Sequence, residues 1–242
     1  MALVMGASRG IGRGIATALA REGARVAIAS RSRERLEEAA SEIGPGAAPF
    51  VADASDTDAL AGLPGEVAAE LGPVDILVTN TGGPPFGGAL DHEREEWELA
   101  YRSLVLAPRT LAREVMPGMR ERGWGRIVNV GSSSTREPLP GLNLSNTHRM
   151  AAVGFFKTLA AEVAGDGITV NTVATGRFAT ERLASNTGSL EPAEEAARRE
   201  VPAGRLGRPD EYGDLVAFLC SERAAYITGT VIPIDGGLLR SV

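Results

Sequence analysis

The chain has 242 residues, 43% hydrophobic and 23% charged, an ordinary globular composition that can bury a core without disulfide or metal staples. Lys and Arg number 25 against 31 Asp and Glu, for a net charge of −6, which argues against non-specific nucleic-acid binding as the main role. The single cysteine, Cys220, excludes an internal disulfide, and two histidines, His92 and His148, are too few for a His-based metal site, so no metal is expected.

The N-terminus reads Met1-Ala2-Leu3-Val4-Met5-Gly6 without a basic leader, a buried strand rather than a signal peptide. No apolar run approaches the roughly 18 residues of a membrane span, so a cytoplasmic protein with no membrane partner is expected. Continuous apolar runs at 2–5, 25–30, 48–52, 74–79, 125–130, 168–174 and 230–234 suit strands buried on both faces of a parallel sheet. Helical patterns at 11–22, 33–43, 59–71, 94–122, 145–164 and 210–220 alternate with them. This alternation predicts stacked βαβ units and a doubly wound α/β sheet with helices on both faces. No linker or repeat divides the chain, so one domain over 1–242 is expected. The stretch 178–206 breaks the rhythm. It reads as a lid over a binding crevice or as a surface loop.

Gly6-Ala7-Ser8-Arg9-Gly10-Ile11-Gly12 joins the first strand to the first helix. In that position Gly6 allows a tight turn, Gly10 admits a pyrophosphate to the backbone, and Gly12 permits close helix packing, while the helix N-terminus offers free N–H groups to phosphates. The turn therefore predicts a bound dinucleotide. An NAD site usually carries a carboxylate near the end of the second strand. Here that strand ends Ala29-Ser30-Arg31-Ser32-Arg33. Arg31, with Arg9 in the turn, suits a ribose 2′-phosphate through charge-assisted hydrogen bonds, so NADP is preferred to NAD. The bland alternative makes Arg31 and Arg33 solvated helix-start charges.

With these motifs the chain resembles the short-chain dehydrogenase/reductase family, in particular its 3-oxoacyl-(acyl-carrier-protein) reductase branch. The resemblance rests on Gly6–Gly12, Asp53-Ala54, Asn80-Thr81-Gly82-Gly83, Gly125-Arg126-Ile127-Val128-Asn129-Val130-Gly131-Ser132, and the C-terminal Tyr226-Ile227-Thr228-Gly229-Thr230 through Asp235-Gly236-Gly237. It implies that Asp53 and Ala54 lie beside the adenine, and Asn80 and Gly82 along the cofactor ribose. It further implies that Thr175-Gly176 borders the nicotinamide, that Thr180 contacts the carboxamide, and that the chain forms a homotetramer or homodimer.

The same resemblance implies four catalytic positions, of which Ser132 alone keeps the family residue. Ser145 stands where the family has its proton-donating Tyr, Arg149 where it has Lys, and Leu104 where it has Asn. An aliphatic hydroxyl is a far weaker acid than a phenol of pKa near 10. Arg149 keeps the charge but cannot shuttle a proton, and Leu104 cannot hold a water. His148 and Tyr101 are alternative proton donors, or else His148 is a helix-flank residue facing a neighbouring subunit or solvent. Ser145 is either catalytic or the cap of its helix. Ser133 and Ser134 either touch substrate or fill the turn, and Phe86 and Phe178 are candidates to line the pocket. Two functions follow. One is an NADP-dependent reductase of a small-molecule carbonyl, such as a 3-oxoacyl thioester, with an altered site. The other is a dinucleotide-binding sensor or assembly protein without turnover.

Overall fold

The computed structural model describes residues 1–241, with the side chains of all of them except Asn186 and Thr187. The predicted apolar runs form strands β1 (Ala2–Met5), β2 (Val26–Ser30), β3 (Ala47–Val51), β4 (Ile76–Thr79), β5 (Gly125–Val130), β6 (Ile168–Thr175) and β7 (Val231–Ile234). They make one sheet in the order β3-β2-β1-β4-β5-β6-β7, and every neighbouring pair is parallel. Each of β1, β4 and β5 is buried along its whole length, because helices cover both faces.

The two faces carry separate apolar cores. Helices α3 (Thr57–Leu71), α5 (Ala107–Arg122) and α6 (Asn143–Val163) supply Leu60, Leu111 and Phe156 to one. Helices α1 (Gly10–Arg21), α2 (Arg33–Ile43) and α9 (Pro209–Leu219) supply Ile15, Leu36 and Val216 to the other. Inside the sheet, a polar ladder crosses three strands. Thr79 donates to Asn129 Oδ1 at 3.1 Å, and Asn129 Nδ2 donates to Thr172 at 3.4 Å, along one register line. All three residues are buried, so these bonds satisfy groups whose desolvation would otherwise oppose folding.

The predicted helix over 94–122 is three elements rather than one. Helix α4 (Arg94–Tyr101) passes through a π turn, Arg102–Leu106, into α5. Residues 178–206 are not a plain loop. They contain α7 (Glu181–Thr187) and α8 (Glu191–Glu200), and Ala193, Ala197, Val201 and Leu206 form a small core with Leu183 and Leu238 packed on it. Ser145 lies inside α6, which begins at Asn143, so it is not the helix cap. No helix among the described residues is long and apolar enough to cross a membrane.

Candidate active site

Because the sheet is parallel, the carboxyl ends of its strands share one edge, where ligands bind in open α/β sheets. Gly6 follows β1, Arg31 follows β2, Asp53 and Ala54 lie just beyond β3, and Asn80 follows β4. Ser132 lies two residues beyond β5, Thr175 ends β6, and Gly176 follows it. Every predicted site residue named by strand position is thus on the same edge, and the crevice lies where the order reverses between β1 and β4.

The glycine turn is held from below by β4. Asn80 Nδ2 donates to the carbonyls of Met5 and Gly6, both at 3.2 Å. A Cβ on Gly12 would stand 2.2 Å from the Gly6 carbonyl oxygen and 2.7 Å from Asn80 Nδ2, so only glycine lets α1 close onto the turn. The first turn of α1 has Arg9 as its N-cap with no side-chain cap bond, and the helix N-terminus is left open to an anion. Ser8 and Ile11 are half-buried beside it. These features fit the phosphates of a dinucleotide.

The two predicted 2′-phosphate arginines are both exposed. Arg9 pairs with Glu181 of α7 at 3.0 Å. The hydrogen bond from Ser55 N holds the Asp53 carboxyl below its usual range, and the charge of Arg31 adds to the effect. Asp53 also accepts from the Ser55 hydroxyl at 2.8 Å. Thr180 caps α7 by accepting from Leu183 N, and its methyl sits 3.4 Å from the position of a Cβ on Gly10. The lid segment therefore touches the glycine turn. A cavity of about 280 Å³ flanks this contact, with Gly10, Arg13, Thr180, Asp210 and Asp214 among its walls, but none of its lining residues comes from the ends of β4, β5 or β6.

At the end of β5 the serines separate. Ser133 and Ser134 are buried in the turn, whereas Ser132 is half-exposed and accepts from Ser134 N at 3.1 Å. The burial of Ser133 and Ser134 agrees with the reading in which they fill the turn. Ser145 and Arg149 lie one helical turn apart on α6. Ser145 is buried, with 7% of its surface exposed. Arg149 is half-buried and donates through Nη1 to the Val130 carbonyl at 2.7 Å. Burial pushes its pKa down to about 10, which leaves it charged at neutral pH. Behind it Tyr212 is wholly buried, within 3.0 Å of the Thr175 hydroxyl, and burial drives its phenol far above the usual range.

One further expectation changes. His148 is not a flank residue. It is buried, its Nδ1–H donates to the Leu144 carbonyl at 2.8 Å, and its ring packs 5.1 Å from Trp97. Phe178 is buried against Tyr212 at 5.2 Å and lines a cavity of about 150 Å³ with Arg205, Glu211 and Asp235, while Phe86 stays 58% exposed. Leu104 is buried within the π turn.

A residue that sequence reasoning missed is Arg182 of α7. It donates to the Pro84 carbonyl at 3.2 Å, and its Nη2 lies 2.6 Å from the place of a Cβ on Gly83. The lid thus reaches the loop after β4. Nothing in the local sequence Thr180-Glu181-Arg182 marks that reach.

Residues 6–239 match the family model described as enoyl-(acyl carrier protein) reductase. The chain is 36% identical to 3-oxoacyl-(acyl-carrier-protein) reductase FabG of Escherichia coli over 239 residues, covering 98% of this chain and 96% of that one. It superposes on L-sorbose reductase of Gluconobacter frateurii, complexed with NADPH and L-sorbose, with a TM-score of 0.92 and 33% identity, covering 100% and 97% of the two chains. It is also similar to a 3-oxoacyl (acyl-carrier-protein) reductase of Agrobacterium tumefaciens with NADP bound, at TM-score 0.92 and 30% identity over 98% and 93%. The shared sheet order, the glycine turn and full-length similarity at this level make the chain a member of the short-chain dehydrogenase/reductase family.

Proposed function

We propose that this protein is an NADP-dependent reductase of a small-molecule carbonyl, a 3-oxoacyl thioester being the first substrate to try. The observation that supports it best is the bond from Arg149 to the Val130 carbonyl. That bond holds a cation at the end of the strand that leads into Ser132, on the sheet edge that carries the glycine turn. NADP-bound and NADPH-bound relatives support the cofactor.

In this reading Gly6, Ser8, Gly10, Ile11 and Gly12 cradle the phosphates, and Arg9 and Arg31 receive the 2′-phosphate. Asp53 and Ala54 flank the adenine, Asn80 and Gly82 the ribose, and Thr175, Gly176 and Thr180 the nicotinamide end. A bound NADPH supplies the hydride for the carbonyl carbon. The Ser132 hydroxyl donates a hydrogen bond to the carbonyl oxygen and orients it. Arg149 contacts the ribose and stabilises the alkoxide electrostatically as it forms. Ser145, or a water beside it, completes the proton path to that oxygen. Because neither Ser145 nor Arg149 is a good acid at neutral pH, the enzyme forgoes general acid catalysis worth about 100- to 10,000-fold and is slow. The chain is one domain over 1–242 with 178–206 as its lid. It is cytoplasmic and assembles as a homotetramer or homodimer.

Two observations favour a second reading, a dinucleotide-binding sensor without turnover: the burial of Ser145 and the apolar Leu104 in the π turn. The test is NADPH oxidation by the purified protein with an acetoacetyl thioester, run beside Ser132→Ala. Turnover that falls about 100-fold or more in the variant supports the reductase. Tight NADPH binding with no turnover on a panel of carbonyls supports the sensor.

A further inference from the structure

Tyr212 of α9 has none of its surface exposed, and its ring meets that of Phe178 in a T-shaped contact with centroids 5.2 Å apart. Its hydroxyl has two oxygens in reach, the Thr175 hydroxyl at 3.0 Å and the Val173 carbonyl at 3.4 Å. A carbonyl only accepts. The phenol proton therefore goes to Val173, and the Thr175 proton goes to the phenol oxygen. The reverse arrangement would turn phenol lone pairs toward the Val173 oxygen and leave a buried contact unsatisfied. With its proton committed, the Thr175 hydroxyl has only lone pairs left to offer. Thr175 is half-buried at the carboxyl end of β6. Its backbone is pinned, because it pairs with Ile234 of β7, Gly176 N donates to the Ile234 carbonyl at 3.0 Å, and a Cβ on Gly176 would stand 2.5 Å from Asp235 Cα. An acceptor is thus fixed at the strand end. It lies one strand from the carbonyl that holds Arg149, since Val130 is the register partner of Val173.

We propose that Tyr212 is a positioning residue: it holds the Thr175 hydroxyl as a hydrogen-bond acceptor for the amide NH2 of the nicotinamide carboxamide. The proposal rests on the reading that puts Thr175 at the nicotinamide end of the cofactor. It adds the polarity of that contact and the residue that sets it. A primary amide offers N–H donors that a ketone lacks, so an acceptor fixed in this way tells the two apart. The same bond limits rotation of the carboxamide and so helps to hold the ring in one orientation toward a carbonyl. Tyr212 itself touches neither cofactor nor substrate and acts through Thr175.

The test is calorimetric binding to the full chain. The ligands are NADP, its 3-acetylpyridine analogue, in which a methyl ketone replaces the amide, and 2′,5′-ADP, which carries no nicotinamide. The first two bear the same charges, so contacts to the phosphates cancel from the ratio of their affinities. Wild type is expected to prefer NADP. Thr175→Val and Tyr212→Phe are each expected to cut that ratio by roughly two- to tenfold, the span of one neutral hydrogen bond, while Thr175→Ser keeps it. Tyr212→Phe combined with Thr175→Val removes both polar partners at nearly unchanged shape, which is close to neutral for folding. This double variant should bind 2′,5′-ADP as wild type does and show the same reduced ratio. Thr175→Val with the wild-type ratio would overturn the acceptor, and Tyr212→Phe with the wild-type ratio would overturn the positioning role. A merely structural role weakens NADP and its analogue equally and so leaves the ratio where it was. Because the readout needs no turnover, a protein that behaves as expected here but reduces no carbonyl refutes the reductase reading alone. Turnover with an unaltered ratio in both variants refutes this proposal alone.

Discussion

Arg149 donates to the carbonyl of Val130, and this bond ties the middle of the sixth helix to the carboxyl end of the fifth strand. It commits one guanidinium nitrogen to the scaffold. Arg149→Met keeps the length of the stem but removes the bond and the charge. The variant is expected to lose about 1.5–3 kcal/mol of stability, the range for a hydrogen bond to a charged group. It should also bind NADPH more weakly, as read by fluorescence titration. Unchanged affinity for NADPH would remove Arg149 from the cofactor site.

Arg9 lies in the turn after the first strand and Arg31 follows the second, and Arg9 is already paired with Glu181. On the proposed role of both residues at the 2′-phosphate, replacing both with Ala should lower the ratio of NADPH to NADH affinity by about tenfold or more, because each would remove a charge-assisted bond. Glu181→Gln should act in the opposite direction by freeing Arg9. A double variant that keeps its preference for NADPH would place the selectivity elsewhere.

Gly12→Ala tests the turn. Its new methyl would meet the Gly6 carbonyl oxygen at 2.2 Å, a backbone atom that cannot swing aside. Overpacking of this kind costs about 1–3 kcal/mol, so the melting temperature should fall and NADPH binding should fall with it. Gly65→Ala, inside α3 and with nothing within 4 Å of the new Cβ, is the control: NADPH binding should be unchanged and the melting temperature should hold or rise, since Ala is the better helix former.

Glu211 links the end of the lid to α9. It accepts from Arg205 at 2.6 Å and from Arg208 N at 2.8 Å. The Arg205 side chain is the larger cause that holds its carboxyl down to about 2. A carboxyl whose pKa is lower in the folded chain stabilises the fold above its ordinary range. That contribution is lost as pH falls from near 4.5 toward 2. Melting curves across that window should therefore drop more steeply for wild type than for Glu211→Gln, which has already lost the ion pair. Parallel curves would show that Glu211 contributes nothing to acid stability.

Much of this architecture was legible because parallel strands buried on both faces leave continuous apolar runs, and those runs mapped onto all seven strands within a few residues. The glycine turn was legible because its position between strand and helix gives the spacing a physical meaning. Helix α8 left a signal that the reading passed over: Pro192 near its start, Glu191 and Glu194 in its first turn, and Arg198 and Arg199 in its last. The burial of His148 was not legible, because it depends on Trp97 arriving from a different helix. The same holds for Arg182, whose partner Pro84 is 98 residues away. Chemistry that depends on side chains from distant segments leaves no local pattern.

The π turn at Arg102–Leu106 carries one residue more than an α-helix would need to cover the same rise. It therefore sets the phase between the two helices it joins. Removing one residue there would let the helix run on as α and would swing α4 by about 100° relative to α5. Trp97 and Tyr101 would then turn away from His148, although none of the three had been altered. The length of this stretch is thus itself a constraint, and a single-codon deletion within it should be felt one turn away, at the aromatic contact that steadies the helix bearing Ser145 and Arg149.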